Sequence, residues 1–124
     1  MKRKILIICC LLLASTLKSF AQIHIISDKA EMQEIKNGKY QTIYTSYETV
    51  NIYIYEKTIS IGKNVFVVES KELKQNNTGK SYTQYETKDN EGNNWSLIFL
   101  GRFLSIALNG DNQTITTFYL DREL

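Results

Sequence analysis

Between Glu48 and Ile61 apolar and polar positions alternate strictly. Val50, Ile52 and Ile54 fall on one side, and Asn51, Tyr53 and Tyr55 on the other. A polar break at Glu56-Lys57 follows, and alternation resumes at Ile59 and Ile61. A period of two marks a strand, and two such runs around a short break mark a β-hairpin with one apolar and one wetter side.

The rest of the chain reads as strands added beside this hairpin. Gln22 to Ser27 is short and apolar, either a leader segment or an edge strand. Asp28 to Gly38 is open to two readings. Asp28 as N-cap, Glu31 closing a capping box and Gly38 as terminator would make a helix. Alternatively, Ala30 to Ile35 pairs with Tyr40 to Thr45 across an Asn37-Gly38 turn, the preferred pair for a tight hairpin. Tyr40 and Tyr44 would then share a face. Val65-Phe66-Val67-Val68 is apolar on both faces, as is Trp95 to Leu100. Such runs indicate strands covered on both sides. Tyr82 and Tyr85 are out of phase by one, as a bulge allows. Phe103 to Leu108 and Thr114 to Leu120 complete the set.

Strands recurring about every 8–12 residues, with no connection long enough for a helical crossover, predict an all-β fold. The expected architecture is an antiparallel up-and-down meander of eight or nine short strands, closed into a small barrel or a strongly curled sheet. Its expected core is Val50, Ile52, Ile54, Ile59, Ile61, Trp95, Leu97, Phe99, Leu104, Ile106, Leu108 and Ile115.

The N-terminus changes the picture of charge. Lys2, Arg3 and Lys4 precede an apolar run from Ile5 to Leu13, and Ser19-Phe20-Ala21 supplies small residues for cleavage. This is the pattern of a signal peptide over residues 1–21, with one β-domain over 22–124. The apolar run is shorter than the about 20 residues a spanning helix needs, so no membrane span is expected after cleavage. The predicted location is periplasmic or secreted. Removing residues 1–21 takes away four of the 15 basic residues and none of the 13 acidic ones, which turns a formal net charge of +2 into −2. A nucleic-acid partner would need a basic stripe, and none remains. Both cysteines, Cys9 and Cys10, leave as well, so no disulfide is expected.

Candidate chemistry is sparse. The only histidine is His24. It sits three residues from the predicted cleavage point, where a chain is usually mobile and a catalytic base poorly held. No zinc ligand set and no glycine-rich phosphate loop occurs, and no cofactor is expected. The loops at Asp89–Asn93 and Asn109–Asn112 carry oxygen ligands suited to calcium, but turn chemistry explains the same Asn, Asp and Gly residues. Glu48, Glu56, Glu69, Glu72 and Glu86 lie on or near strands and offer carboxylate pairs.

A leader ending in Ser-Phe-Ala-Gln before one small meander resembles many exported proteins of Gram-negative bacteria. The strand order looks like small lipocalin-like or calycin-like barrels. The Gly-x-Trp motif near the first strand of true lipocalins is missing. The one tryptophan, Trp95, instead follows Gly92-Asn93-Asn94. The resemblance therefore implies a fold and carries over no functional residue.

The expected function is non-enzymatic: an exported β-domain binding a small apolar or amphipathic ligand in a barrel pocket. Tyr53, Tyr55, Trp95 and Phe99 are the candidate contacts, since aromatic rings beside polar groups stack on flat apolar surfaces. The alternative is a structural or interaction module. It would form a homodimer or bind a protein partner through an apolar face made of Phe66, Val68, Ile98 and Leu100, or through an open sheet edge. A small carboxylate-dependent hydrolase is the third reading.

Overall fold

The structure is a computed structural model and describes residues 22–110 and 113–124. The predicted leader, residues 1–21, lies outside the described residues. Nine strands form one antiparallel sheet: β1 (Ile23–Lys36), β2 (Lys39–Ser46), β3 (Val50–Ile54), β4 (Thr58–Ile61), β5 (Asn64–Gln75), β6 (Ser81–Lys88), β7 (Asn94–Leu100), β8 (Phe103–Leu108) and β9 (Thr114–Leu120). From β3 to β9 each strand pairs with the next, and β9 returns to pair with β1. Eight strands thus close a barrel, and β2 is an additional strand.

The length of β1 makes this possible. Ser27 pairs with Val50 of β3 on one edge and with Leu120 of β9 on the other. Farther along, Ala30 to Glu34 face β9 on one edge and β2 on the opposite one. So β2 and β3 share an edge of β1, one below the other. Of the two readings of residues 28–38, the hairpin is the one observed. Asn37 and Gly38 both have positive φ, 55° and 76°, as a two-residue hairpin turn requires. A helix there would have left the edge of β9 unpaired. Of residues 22–27, Ile23 to Ser27 form the first half of β1: they pair with β3 on one side, and β9 joins the other side only from Ser27 on.

Three register shifts set the faces. Asp28 is the extra residue where β1 meets β9, Ile43 where β2 meets β1, and Glu69 where β5 meets β6. The bulge at Ile43 separates the tyrosines expected together. Tyr40 stands opposite Ile35 and Tyr44 opposite Met32, on different faces. The irregularity expected within β6 instead lies on its neighbour β5. In β6 itself Tyr85 and Thr87 alternate inward without a break.

The barrel interior is filled. Ile25, Ile52, Ile59, Leu97 and Leu104 are completely buried, with Ile54, Ile61, Phe66, Tyr85, Phe99, Phe118 and Leu120 packed around them. Each such side chain contributes about 1.5–3 kcal/mol relative to exposure. The buried hydroxyls are satisfied: Ser27 Oγ donates to the Lys29 carbonyl at 2.9 Å, and Thr87 Oγ1 to the Trp95 carbonyl at 3.0 Å. The expected core is corrected at two places. Ile115 faces outward, because Phe118 and Leu120 fix the even-numbered residues of β9 as the inward set. Leu108 is only half-buried, at the end of β8.

Candidate functional site: the mouth beside Trp95

One end of the barrel holds a pocket of about 340 Å³. It is built by the β4–β5 turn, the β6–β7 loop and three inward-facing side chains. Phe66 of β5, Trp95 of β7 and Ile106 of β8 form its apolar wall. Lys63 and Asn64 stand on one rim, and Asp89, Asn90 and Glu91 on the other. Gly62, at φ 59°, makes the tight turn that presents Lys63 and Asn64.

Asp89 organises the second rim. Its Oδ1 accepts the backbone N–H of Glu91 and of Asn93, each at 2.9 Å. Its Oδ2 accepts Trp95 Nε1–H at 2.9 Å and Asn93 Nδ2–H at 3.2 Å. The Trp95 hydrogen bond, with the Asn93 and Glu91 bonds behind it, holds the Asp89 carboxyl below the ordinary aspartate range. The carboxylate is thus committed to its own loop. Among the described residues no three His, Cys, Asp or Glu side chains gather as metal ligands. Asp111 and Asn112 of the other candidate calcium loop lie outside the described residues. Trp95 is fixed from two sides, by Asp89 and by a T-shaped contact with the Phe66 ring, with centroids 5.9 Å apart at 79°.

The four expected ligand contacts are not brought together. Trp95 lines the mouth, whereas Phe99, on the same inward face of β7, is buried deeper and meets Tyr85 edge-to-face at 5.7 Å. Tyr53 and Tyr55 lie on the outer wall and at the opposite end, at the β3–β4 turn. Tyr55 borders a shallow depression with Glu56, Lys57 and Thr58. The Tyr53 ring is covered by His24, with centroids 4.4 Å apart and planes 7° from parallel. His24 is therefore no mobile terminal residue. It is set in β1, with Nε2 2.9 Å from Asn51 Oδ1 and its carbonyl accepting Arg122 at 2.7 Å.

The expected apolar face of Phe66, Val68, Ile98 and Leu100 is also not assembled. Phe66 is buried inside, and Val68 packs against the core. It is Val65 and Val67 that point out of β5, about half exposed. Ile98 and Leu100 do face outward, but across β8 and β9 from a different set. With Phe103, Ile115 and Tyr119 they line an outer groove of about 420 Å³. Phe103 and Tyr119 meet edge-to-face at 5.1 Å, and Lys29 Nζ sits 4.8 Å from the Tyr119 centroid. Sequence reading missed Phe103 and Tyr119. The signal was their alternation against Leu104 and Phe118, which becomes usable once the inward phase is known.

Of the candidate carboxylates, Glu86 is the one held in a network. Ser96 Oγ lies 2.9 and 3.0 Å from its two oxygens, Asn109 Nδ2 donates at 3.0 Å and Gln84 Nε2 at 2.7 Å. Burial alone would raise this carboxyl, but the bonds from Asn109, Gln84 and Ser96 together hold it below the ordinary value. None of these three partners is a second carboxyl or a histidine. Glu48, Glu56, Glu69 and Glu72 are exposed. No family model, no curated protein and no solved structure matches this chain.

Proposed function

We propose that this chain is an exported, non-enzymatic binding module that holds a small amphipathic ligand at the mouth of its barrel. The observation that carries this reading is the wall of Phe66, Trp95 and Ile106, left open at one end of an otherwise filled barrel. Phe66, Trp95 and Ile106 give the pocket one apolar side, and Lys63, Asn64, Asp89, Asn90 and Glu91 make the rest polar, a division that suits an amphipathic ligand. The ligand's apolar part lies against Trp95, and its polar part reaches Lys63, Asn64 or Asn90. At about 340 Å³ the pocket is at the small end of ligand sites, which run from about 300 to 1,000 Å³. The ligand is therefore a single ring system or a short chain end, not a lipid swallowed whole.

The test is a titration with 1-anilinonaphthalene-8-sulfonate, an amphipathic ring probe of suitable size, read through Trp95, the sole tryptophan. Saturation at one probe per chain, weakened about tenfold or more by Ile106→Gln, supports the reading. Unsaturable quenching, or a response indifferent to Ile106→Gln in a folded variant, contradicts it. An interaction module is the second reading. It rests on the outer edge of β2, which no other strand of the described residues pairs and which contributes no residue to the mouth pocket.

A further inference from the structure

Strand β2 packs on β1 and on no other strand, and residues Lys39 to Tyr44 are exposed on both faces. Among the described residues its outer edge is a row of backbone donors and acceptors without a strand beside it. Such an edge is a template for another strand, and proteins that keep it free place charges or proline there. Strand β5 beyond Val68 shows that device. Its edge is also bare, and Glu69, Lys71, Glu72 and Lys74 charge four of its last seven residues. β2 has none of it. From Tyr40 to Tyr47, Tyr-Gln-Thr-Ile-Tyr-Thr-Ser-Tyr, there is no charge, no proline and no glycine. Tyr40, Ile43, Tyr44 and Tyr47 are 49–75% exposed.

We infer that the outer edge of β2 pairs antiparallel with β2 of a second copy, around a two-fold axis. The chemistry selects this occupant. An antiparallel strand brought against itself places each residue opposite its own neighbours in reverse order, so a charged edge of one composition would meet like charges. An uncharged edge of tyrosine, threonine and isoleucine meets no such repulsion, and these residue types make favourable cross-strand pairs. The charged edge of β5 offers β2 no comparable match. Full overlap of Tyr40 to Ser46 sets Ile43 against Ile43 of the second copy. The bulge leaves Ile43 unpaired on the β1 side and half exposed.

Sedimentation of the purified protein over a concentration series tests this directly. A reversible dimer is expected in the wild type. Ile43→Lys and, separately, Tyr44→Lys are expected to weaken it about tenfold or more, with circular dichroism unchanged. Mixing Ile43→Lys with Ile43→Glu is expected to restore dimer that neither forms alone. A wild type that stays monomeric up to about 300 μM, where even a weak edge pairing would show, overturns the inference. So does a dimer that survives both lysine variants, which would place the interface elsewhere, on the outer groove for instance. Failure of the charge-swapped mixture to associate also overturns it, since it removes Ile43 from the axis.

Discussion

Trp95 donates its indole N–H to Asp89 Oδ2 at 2.9 Å, and that bond ties the wall of the mouth pocket to its rim. The two residues are six apart, joined by a loop whose backbone closes on the same carboxylate. The carboxylate is also the titrating member of the pair.

Because the folded state holds Asp89 below its unfolded value, the interaction is complete above the ordinary aspartate range, about 3.9, and is lost as pH falls through the lower folded value. Trp95 emission should therefore be flat from neutral pH to below that range, and then shift to the red as the loop opens. Asp89→Asn, which has no second oxygen for the indole, should show the red-shifted spectrum at neutral pH. A wild-type midpoint above the ordinary value would contradict the assigned hydrogen bonds.

The faces of β5 are testable by a pair of substitutions. Phe66→Ala empties a place in the core and should cost about 3–5 kcal/mol in urea unfolding. Val67→Ala, next in sequence and about half exposed, should change stability by about 0.5 kcal/mol or less. Equal costs, or the reverse order, would mean that the strand is turned over.

Glu86→Ala removes the acceptor for Asn109, Gln84 and Ser96 and should cost about 1 kcal/mol at pH 7, the half-exposed setting keeping the figure low. The wild-type carboxyl is depressed on folding. Its contribution is then full above about 4.3, the ordinary glutamate value, and disappears as pH falls through the folded value. The stability difference between wild type and variant, measured by chemical unfolding at several pH values, should shrink over that acid window and not before it.

The stack of His24 on Tyr53 joins the first strand of the barrel to the central hairpin. Tyr53→Ser and His24→Ala should each cost about 1 kcal/mol, and the double variant little more than either, with a coupling of about 0.5–1.5 kcal/mol. Additive losses would show that the rings do not interact in solution.

What could be read from the sequence follows from the range of each signal. Alternation at Val50–Ile61 and the Asn37-Gly38 turn are local, and they gave the strands, the hairpin and most of the core. The runs at Val65–Val68 and Leu97–Leu100 carry no phase, because every position is apolar. The sequence pattern therefore puts Phe66 on the outer face, whereas it is buried within. Closure depends on pairing Ser27 with Leu120, at opposite ends of the described chain, and no local pattern encodes it. The bulges at Asp28, Ile43 and Glu69 shift faces by one residue with no proline or glycine to mark them. The mouth pocket was half legible. Trp95 stands out as the sole tryptophan, but its neighbours Asn64 and Phe66 of β5 and Ile106 of β8 come from two other parts of the chain.

The central claim is that ligand is held at the mouth and not inside the barrel or on its outer wall. Amide chemical shifts of the nitrogen-15-labelled protein, followed during titration with 1-anilinonaphthalene-8-sulfonate, test it most directly. Saturable shifts concentrated at Lys63–Phe66, Asp89–Trp95 and Ile106 are the predicted result. Shifts centred on Ile98, Phe103 and Tyr119, or on buried Ile25, Ile52 and Leu104, would contradict the account, and so would a spectrum that does not change.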